Sequence, residues 1–215
     1  MYLLGKELYF PPLYTTHPSG IIAIGGDLSV DRLLLAYRSG IFPWFEDNEP
    51  ITWWSPAERM VCFPNEYKPA KSVRNILNRN LFEVSFNTCF EKVIRNCQTI
   101  KREGQHGTWI TDDMLEAYLE LHRLGYAKSV EVWQKDELVG GLYGIDLGNI
   151  FCGESMFSKV SNASKIAFHY LAEKTKQENY TLIDGQVYND YLKQLGFVEI
   201  SRTQFARFLP TQENI

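Results

Sequence analysis

Cysteine, histidine and positive charge are all scarce in this chain. Its 215 residues include four cysteines and four histidines, and the formal net charge is −4. Cys62, Cys89, Cys97 and Cys152 form no CxxC pair and stand near no His-rich motif, which argues against a zinc site and for reduced, buried thiols. The negative balance removes bulk electrostatics as a reason to bind nucleic acid, so any such partner must meet a local patch. No apolar run approaches membrane-spanning length, and the N-terminus lacks the charge-then-apolar plan of a signal peptide. Internal repeats, low-complexity tracts, a Walker A motif, a GxSxG elbow and a Ser-His-Asp order are absent. A cytoplasmic enzyme or binding protein without a metal or membrane partner fits these absences.

The chain is long enough for one large domain, or for a main domain with a small companion. Its organising stretch is Ser129 to Ser158, which reads as three consecutive strands with KDE and LGN as turns. Gly140, Gly141 and Gly144 fall inside the strands, where glycine marks a bulge or a close approach. The third strand, IFCGESMFS, sets Glu154 among Phe151, Met156 and Phe157. A carboxylate amid that much apolar surface needs a partner or a function.

Upstream, Met1 to Ser19 is a proline-punctuated extended lead. GIIAIGGDLS predicts a strand and a glycine turn, with Ser29 capping a helix that Gly40 ends. The loop IFPWFEDNEPITWWSP carries Trp44, Trp53 and Trp54, which fit a packing surface on a neighbouring domain, a ligand wall or a base-stacking platform. Arg59 to Phe63 reads as a strand. Pro69 to Asn80 reads as a helix with Lys71 and Arg74 on one face, which Arg79 extends; this is either a solvated face or a phosphate-binding ridge. Phe82 to Phe86 alternates as a strand, and Thr88 with Glu91 predicts a capping box for the helix that follows. KREGQHGTWIT is a polar loop ending near Trp109, and Thr111 caps a helix that Gly125 stops, with Tyr118 flanking its apolar stripe. Asn162 to Asn179 predicts a long amphipathic helix, TLIDGQV a buried strand, NDYLKQLGF a short helix and Phe197 to Thr203 a last strand. A change of character near residue 65 divides residues 1–64, a small N-terminal α+β domain, from residues 65–215, an α+β main domain.

The sharpest local signal is LIDGQ. Asp184 and Gln186, two residues apart, share one sheet face, and Ile183 points the other way. A carboxylate and an amide on a core strand form either a structural polar network or, with Glu154, the polar end of an apolar cleft. Without a nucleophile motif, the chemistry calls for an already activated substrate that the protein positions.

GGDLS, AYRSGIFPWF, WWSP, GTWIT, SVEVW, ELVGGLYG, FCGESMFS, NASK and LIDGQ, in this order and spacing, resemble the leucyl/phenylalanyl-tRNA–protein transferases from about Gly20 to Phe197. The resemblance implies a GNAT-like acyltransferase main domain beside a small N-terminal domain. It implies an aminoacyltransferase that moves Leu or Phe, and less well Met, from tRNA to proteins beginning with Arg or Lys, marking them for N-end rule degradation, with no cofactor. It also implies site residues: Asp184 and Gln186 tied to catalysis, with Glu154 in the site, and Leu142, Phe151, Met156 and Ile183 lining the aminoacyl pocket. Trp109 is implied against the terminal adenosine, Tyr37, Trp44 and Tyr118 at other aromatic positions around the tRNA end, and Lys71, Arg74 and Arg79 in a basic patch for the acceptor stem. In this reading Gln186 contacts the acceptor amine, Asp184 stands behind its amide, and Glu154 orients either a substrate amine or the acceptor's basic side chain. Two rivals remain. A CoA-dependent N-acetyltransferase is disfavoured because residues 154–184 contain no glycine for a pyrophosphate loop; the other is a tRNA- or N-terminus-binding module without turnover.

Overall fold

The computed structural model describes residues 2–100 and 108–210. Most of the polar loop expected before Trp109 lies outside them. The fold is mixed α/β and built on two sheets. The smaller holds β1 (Tyr2–Leu4), β2 (Ile21–Gly25), β3 (Phe42–Pro43) and β4 (Thr52–Trp54) in the order β1-β2-β4-β3, with helix α1 (Val30–Arg38) between β2 and β3. The larger holds β5 (Glu58–Cys62), β6 (Glu83–Phe86), β7 (Ala127–Gln134), β8 (Glu137–Asp146), β9 (Ile150–Ser158), β10 (Leu182–Gln186) and β11 (Val198–Ser201), in the order β11-β5-β10-β9-β8-β7-β6. Its helices are α2 (Lys71–Leu77), α3 (Phe90–Thr99), α4 (Asp112–Arg123), α5 (Ala163–Gln177), α6 (Asp190–Gln194) and α7 (Arg202–Ala206). Among the described residues, no helix is long and apolar enough to cross a membrane.

The three runs from Ser129 to Ser158 form the expected antiparallel meander β7-β8-β9. Two of its glycines are required by close approach. A side chain at Gly140 would meet the Ala163 Cβ at 2.5 Å, where α5 lies on the sheet, and one at Gly144 would meet the Cys152 carbonyl oxygen at 2.2 Å. Helix α5 is the crossover between the parallel neighbours β9 and β10. It covers one sheet face through Ala163, Ile166, Ala167 and Leu171, which cluster with Val130, Val139, Leu142 and Phe151. On the other face, Phe90 and Val93 of α3 and Leu115 and Tyr118 of α4 pack with Tyr143, Ile145 and Cys152. That cluster continues into the smaller sheet through Ala23, Phe42 and Trp53.

The boundary expected at residue 64 does not separate the sheets. β5 is hydrogen-bonded between β11 and β10, so residues 58–62 belong with the later chain. Three local expectations also change. Thr88 forms no capping box with Glu91; its hydroxyl donates instead to the buried Glu131 carboxylate at 3.0 Å, because a tertiary acceptor outcompetes a local one. Ser29 occupies the N-cap position without a side-chain bond to the helix. The last strand ends at Ser201, whose hydroxyl and Gln204 form a capping box that starts α7. Thr111 caps α4 as expected, accepting from the Met114 amide at 3.2 Å.

Candidate active site

The two parallel strands at the centre of the larger sheet part company. β9 and β10 pair at Ile150–Leu182, Phe151–Ile183 and Cys152–Asp184, and then each follows its other neighbour. Both strands bulge there. Glu154 is the extra residue where Gly153 pairs with Gly144 and Ser155 with Tyr143; Gly185 is extra where Asp184 pairs with Val61 and Gln186 with Met60. Bulges re-aim side chains and end pairing, and here they open a cavity of about 670 Å³. Leu142, Phe151 and Ile183 line it from the α5 side of the sheet, and Phe42, Tyr143 and Asp184 from the opposite side. A straight strand would turn Ile183 away from Asp184 and Gln186. The gap between strands lets both faces reach one hollow.

Asp184 is wholly buried and ion-paired with Arg59, which is 2% exposed. Arg59 Nε and Nη2 donate to Oδ1 and Oδ2 at 2.8 and 2.6 Å, a two-pronged contact between residues 125 positions apart. Nη1 donates to the Gly40 carbonyl at 3.2 Å, and the guanidinium lies over the rings of Phe42 and Phe205 at 4.8 and 4.6 Å. Asp184 Oδ1 also accepts the Gln186 backbone N–H at 2.8 Å. That bond holds Gln186 at φ +65°, a left-handed conformation that favours glycine. The expectation that Asp184 stands behind the Gln186 amide is therefore corrected: Asp184 fixes the backbone of Gln186, and its own carboxylate belongs to Arg59.

Glu154 is the residue that holds the amide. Gln186 Nε2 donates to Glu154 Oε1 at 2.7 Å, and the Tyr118 hydroxyl donates to Oε2 at 2.9 Å. The Tyr37 hydroxyl bonds in turn to that of Tyr118. Burial pushes the Glu154 carboxyl up to about 7; the Tyr118, Tyr37 and Gln186 hydrogen bonds oppose the push and Asp184 adds to it. Burial likewise lifts both phenols well above their ordinary value of 10.

The Glu154 shift has a consequence for stability. Between the unfolded value of 4.5 and the folded value of about 7, the native state binds more protons than the unfolded state. Stability contributed by this group is therefore complete below pH 4.5 and is lost as pH rises through about 7. Because the side chain keeps some exposure, the loss stays below the roughly 3 kcal/mol that the shift would amount to in full. Urea midpoints of wild type and Glu154→Gln at pH 5 and pH 8 check this. The stability difference between the two proteins should move in favour of the variant at pH 8, and an identical difference at both pH values would contradict it.

Leu142, Phe151, Met156 and Ile183 all line the cavity, as do Glu154, Asp184, Gln186, Trp44 and Trp109. Trp44 is 42% exposed, and its backbone carbonyl accepts from the Trp54 indole at 2.7 Å. Tyr37 and Tyr118 differ from expectation. At 1% and 0% exposure they have no surface to offer a nucleotide, because both rings are core and their hydroxyls turn toward Glu154. Lys71, Arg74 and Arg79 are exposed and do not line the cavity. Helix α2 ends at Leu77, so Arg79 does not continue its face. The functional residue that sequence reasoning missed is Arg59. Its only signal was a charge at the start of an apolar strand, ERMVCF.

Among the described residues no histidine lines the cavity, and none pairs there with a serine or cysteine. An apolar hollow ending in an amide and a carboxylate, set where parallel strands part in a mixed α/β fold, is a candidate site for group transfer from an activated substrate. Comparisons with known proteins agree. The family model described as leucyl/phenylalanyl-tRNA protein transferase matches residues 61–210, and the model of that family's N-terminal domain matches residues 26–57. Curated leucyl/phenylalanyl-tRNA–protein transferases from Flavobacterium johnsoniae and Flavobacterium psychrophilum are 60% and 58% identical, covering 99% and 97% of this chain and 100% and 99% of their own lengths. The crystal structure of FemX superposes with a TM-score of 0.52 at 10% identity, covering 80% of this chain and 66% of that one, a likeness of fold alone. The chain belongs to the leucyl/phenylalanyl-tRNA–protein transferase family and is by that membership an aminoacyltransferase.

Proposed function

We propose that this enzyme moves Leu or Phe, and less well Met, from aminoacyl-tRNA to the N-terminal α-amine of proteins that begin with Arg or Lys. The product is marked for N-end rule degradation in the cytoplasm. The observation that carries this reading is the cavity of about 670 Å³, with apolar walls and the Glu154–Gln186 pair at its polar end. In this reading the parted larger sheet is a GNAT-like acyltransferase unit and the smaller sheet a companion domain.

The aminoacyl ester is already activated, so no covalent intermediate on the protein is needed. The acceptor amine attacks the ester carbonyl carbon, a C–N bond forms, the bond to the ribose oxygen breaks, and the proton lost by the amine is balanced by the one the leaving ribose oxygen takes up as a hydroxyl. With an unperturbed pKa of roughly 8, about a tenth of the amine is free base near neutral pH. The Gln186 Oε1 accepts no hydrogen bond from the protein among the described residues. It is the group that receives an N–H of the neutral amine and aims its lone pair. An ionised carboxylate in that position would favour the charged, unreactive form. Asp184, locked to Arg59, does not compete for it.

Leu142, Phe151, Met156 and Ile183 receive the aminoacyl side chain. One methylene is worth roughly 1–3 kcal/mol in such a pocket, so Leu, Phe and Met overlap while charged side chains are excluded by desolvation. Glu154 faces the same hollow and orients either a substrate amine or the acceptor's basic side chain. Trp44 and Trp109 stack on the tRNA end, and Lys71, Arg74 and Arg79 meet acceptor-stem phosphates.

The direct test mixes labelled leucyl-tRNA with a peptide beginning with Arg. Transfer of label to the peptide supports the reading; acetyl-CoA consumption or binding without transfer overturns it. Three phosphate contacts near a single-stranded end predict a log–log salt slope of about −2 for tRNA binding, at about 0.7 per contact. Lys71→Gln should make that slope shallower by about 0.7. A slope that Lys71→Gln leaves unchanged would remove Lys71 from the ridge.

A further inference from the structure

We infer that Tyr118, backed by Tyr37, is a positioning residue that fixes which end of the Gln186 amide faces the cavity, acting through Glu154. This rests on the proposed role of Gln186. The hydrogen bonds run in one direction. Tyr118 donates to Glu154 Oε2 at 2.9 Å and Gln186 Nε2 donates to Glu154 Oε1 at 2.7 Å. With its one hydrogen spent on Glu154, the Tyr118 oxygen accepts in the Tyr37–Tyr118 bond, in which either hydroxyl could otherwise donate. Every donor in the chain ends on one carboxylate.

An ionised carboxylate only accepts, so it draws the NH2 end of the amide and leaves the Gln186 carbonyl oxygen toward the cavity. A protonated Glu154 behaves differently. With its proton on Oε1 it donates to the Gln186 carbonyl, and the amide turns its NH2 outward, where it meets the N–H groups of an amine instead of accepting one. With its proton on Oε2 it donates to Tyr118, the Tyr118 hydroxyl turns away, and the two phenols no longer both donate toward the carboxylate. The donated bond from Tyr118 therefore selects the ionised carboxylate and, with it, the outward carbonyl.

The surroundings leave this task to the tyrosines. Glu154 shares its environment with Asp184 of β10, Cys152 of β9, Tyr143 of β8, Tyr118 of α4 and Tyr37 of α1. The cation near them, Arg59 of β5, is committed to Asp184. Burial raises both phenols, so they remain neutral donors over the working pH range. Without the Tyr118 hydrogen bond, burial and Asp184 act on Glu154 with less opposition.

The test compares Tyr118→Phe and Tyr37→Phe with wild type in leucyl transfer from pH 6 to 9. Taking the ratio of variant to wild-type kcat at each pH cancels the acceptor amine's own titration. For Tyr118→Phe the ratio should be about 0.1 near pH 6.5 and climb toward 1 by pH 9, as the carboxyl that has lost its Tyr118 hydrogen bond ionises. KM for leucyl-tRNA should stay within about twofold, and Tyr37→Phe should show a smaller effect in the same sense. A ratio that does not vary with pH overturns the inference, whatever its size, since a merely structural loss would not follow pH. If Tyr118→Phe does not fold, the same pH-ratio outcome for Tyr37→Phe decides the matter. Gln186→Ala serves as the reference. Near-normal transfer by that variant refutes the role of Gln186 itself, whereas a slow Gln186→Ala beside flat tyrosine ratios refutes only the relay.

Discussion

Gln186→Ala is expected to lower transfer from leucyl-tRNA about 100- to 1,000-fold, the usual effect of removing one preorganised hydrogen-bonding group from a transition state. Affinity for the tRNA should change less than about twofold, because the pocket walls and the stacking residues are untouched. The two values separate because the amide meets the acceptor amine rather than the bound ester, so its loss falls on kcat. Measuring kcat and KM at saturating peptide is sufficient. A variant that turns over near the wild-type rate would remove Gln186 from the chemistry. Equal losses in kcat and tRNA affinity would place it in binding instead.

Arg59→Met should be the most destabilising single change at the site. It leaves the Asp184 carboxylate, wholly buried, without its two guanidinium bonds of 2.8 and 2.6 Å. Removing one partner of a buried pair costs about 3–5 kcal/mol, since the remaining charge keeps its desolvation penalty. In a chain of this length each kcal/mol shifts Tm by roughly 2–4 °C, so a fall of about 6–20 °C is expected. The double variant Arg59→Met with Asp184→Leu should recover part of the loss, because no orphaned charge remains. Calorimetry on wild type, Arg59→Met, Asp184→Leu and the double variant checks both statements. A single variant within about 1 kcal/mol of wild type, or a double variant that loses the sum of the two single losses, would contradict the pairing.

Much of the site could be read from residue type and spacing. Glu154 stood out because a carboxylate among Phe151, Met156 and Phe157 violates apolar patterning, and the structure gives it Tyr118 on one oxygen and Gln186 on the other, with Tyr37 behind Tyr118. Gly140 and Gly144 were legible because a glycine inside a strand seldom lacks a close neighbour, and helix α4 because Thr111 supplied its own cap. What stayed hidden depends on distant contacts. Arg59 looked like an ordinary strand-initiating charge until a partner 125 positions away was brought beside it. Helical spacing put Tyr37 on the inner face of α1 with Leu33 and Leu34, as the structure has it, while Tyr118, read as flanking the apolar stripe of α4, becomes core only through the packing of α4. Strand periodicity placed Ile183 opposite Asp184, as the structure has it, but it could not show that the bulges at Glu154 and Gly185 open a gap that both faces line. Thr88 carried a correct local signal that the buried Glu131 overrode.

The most direct test of the central claim is a crystal structure of the enzyme with a non-hydrolysable leucyl-adenosine analogue. The leucyl side chain should lie among Leu142, Phe151, Met156 and Ile183. Its carbonyl carbon should sit where an amine about 3 Å from Gln186 Oε1 is also within roughly 3–3.5 Å of that carbon. An analogue bound outside the gap between β9 and β10, or one seated there with the Gln186 carbonyl turned away from the ester, would contradict the account.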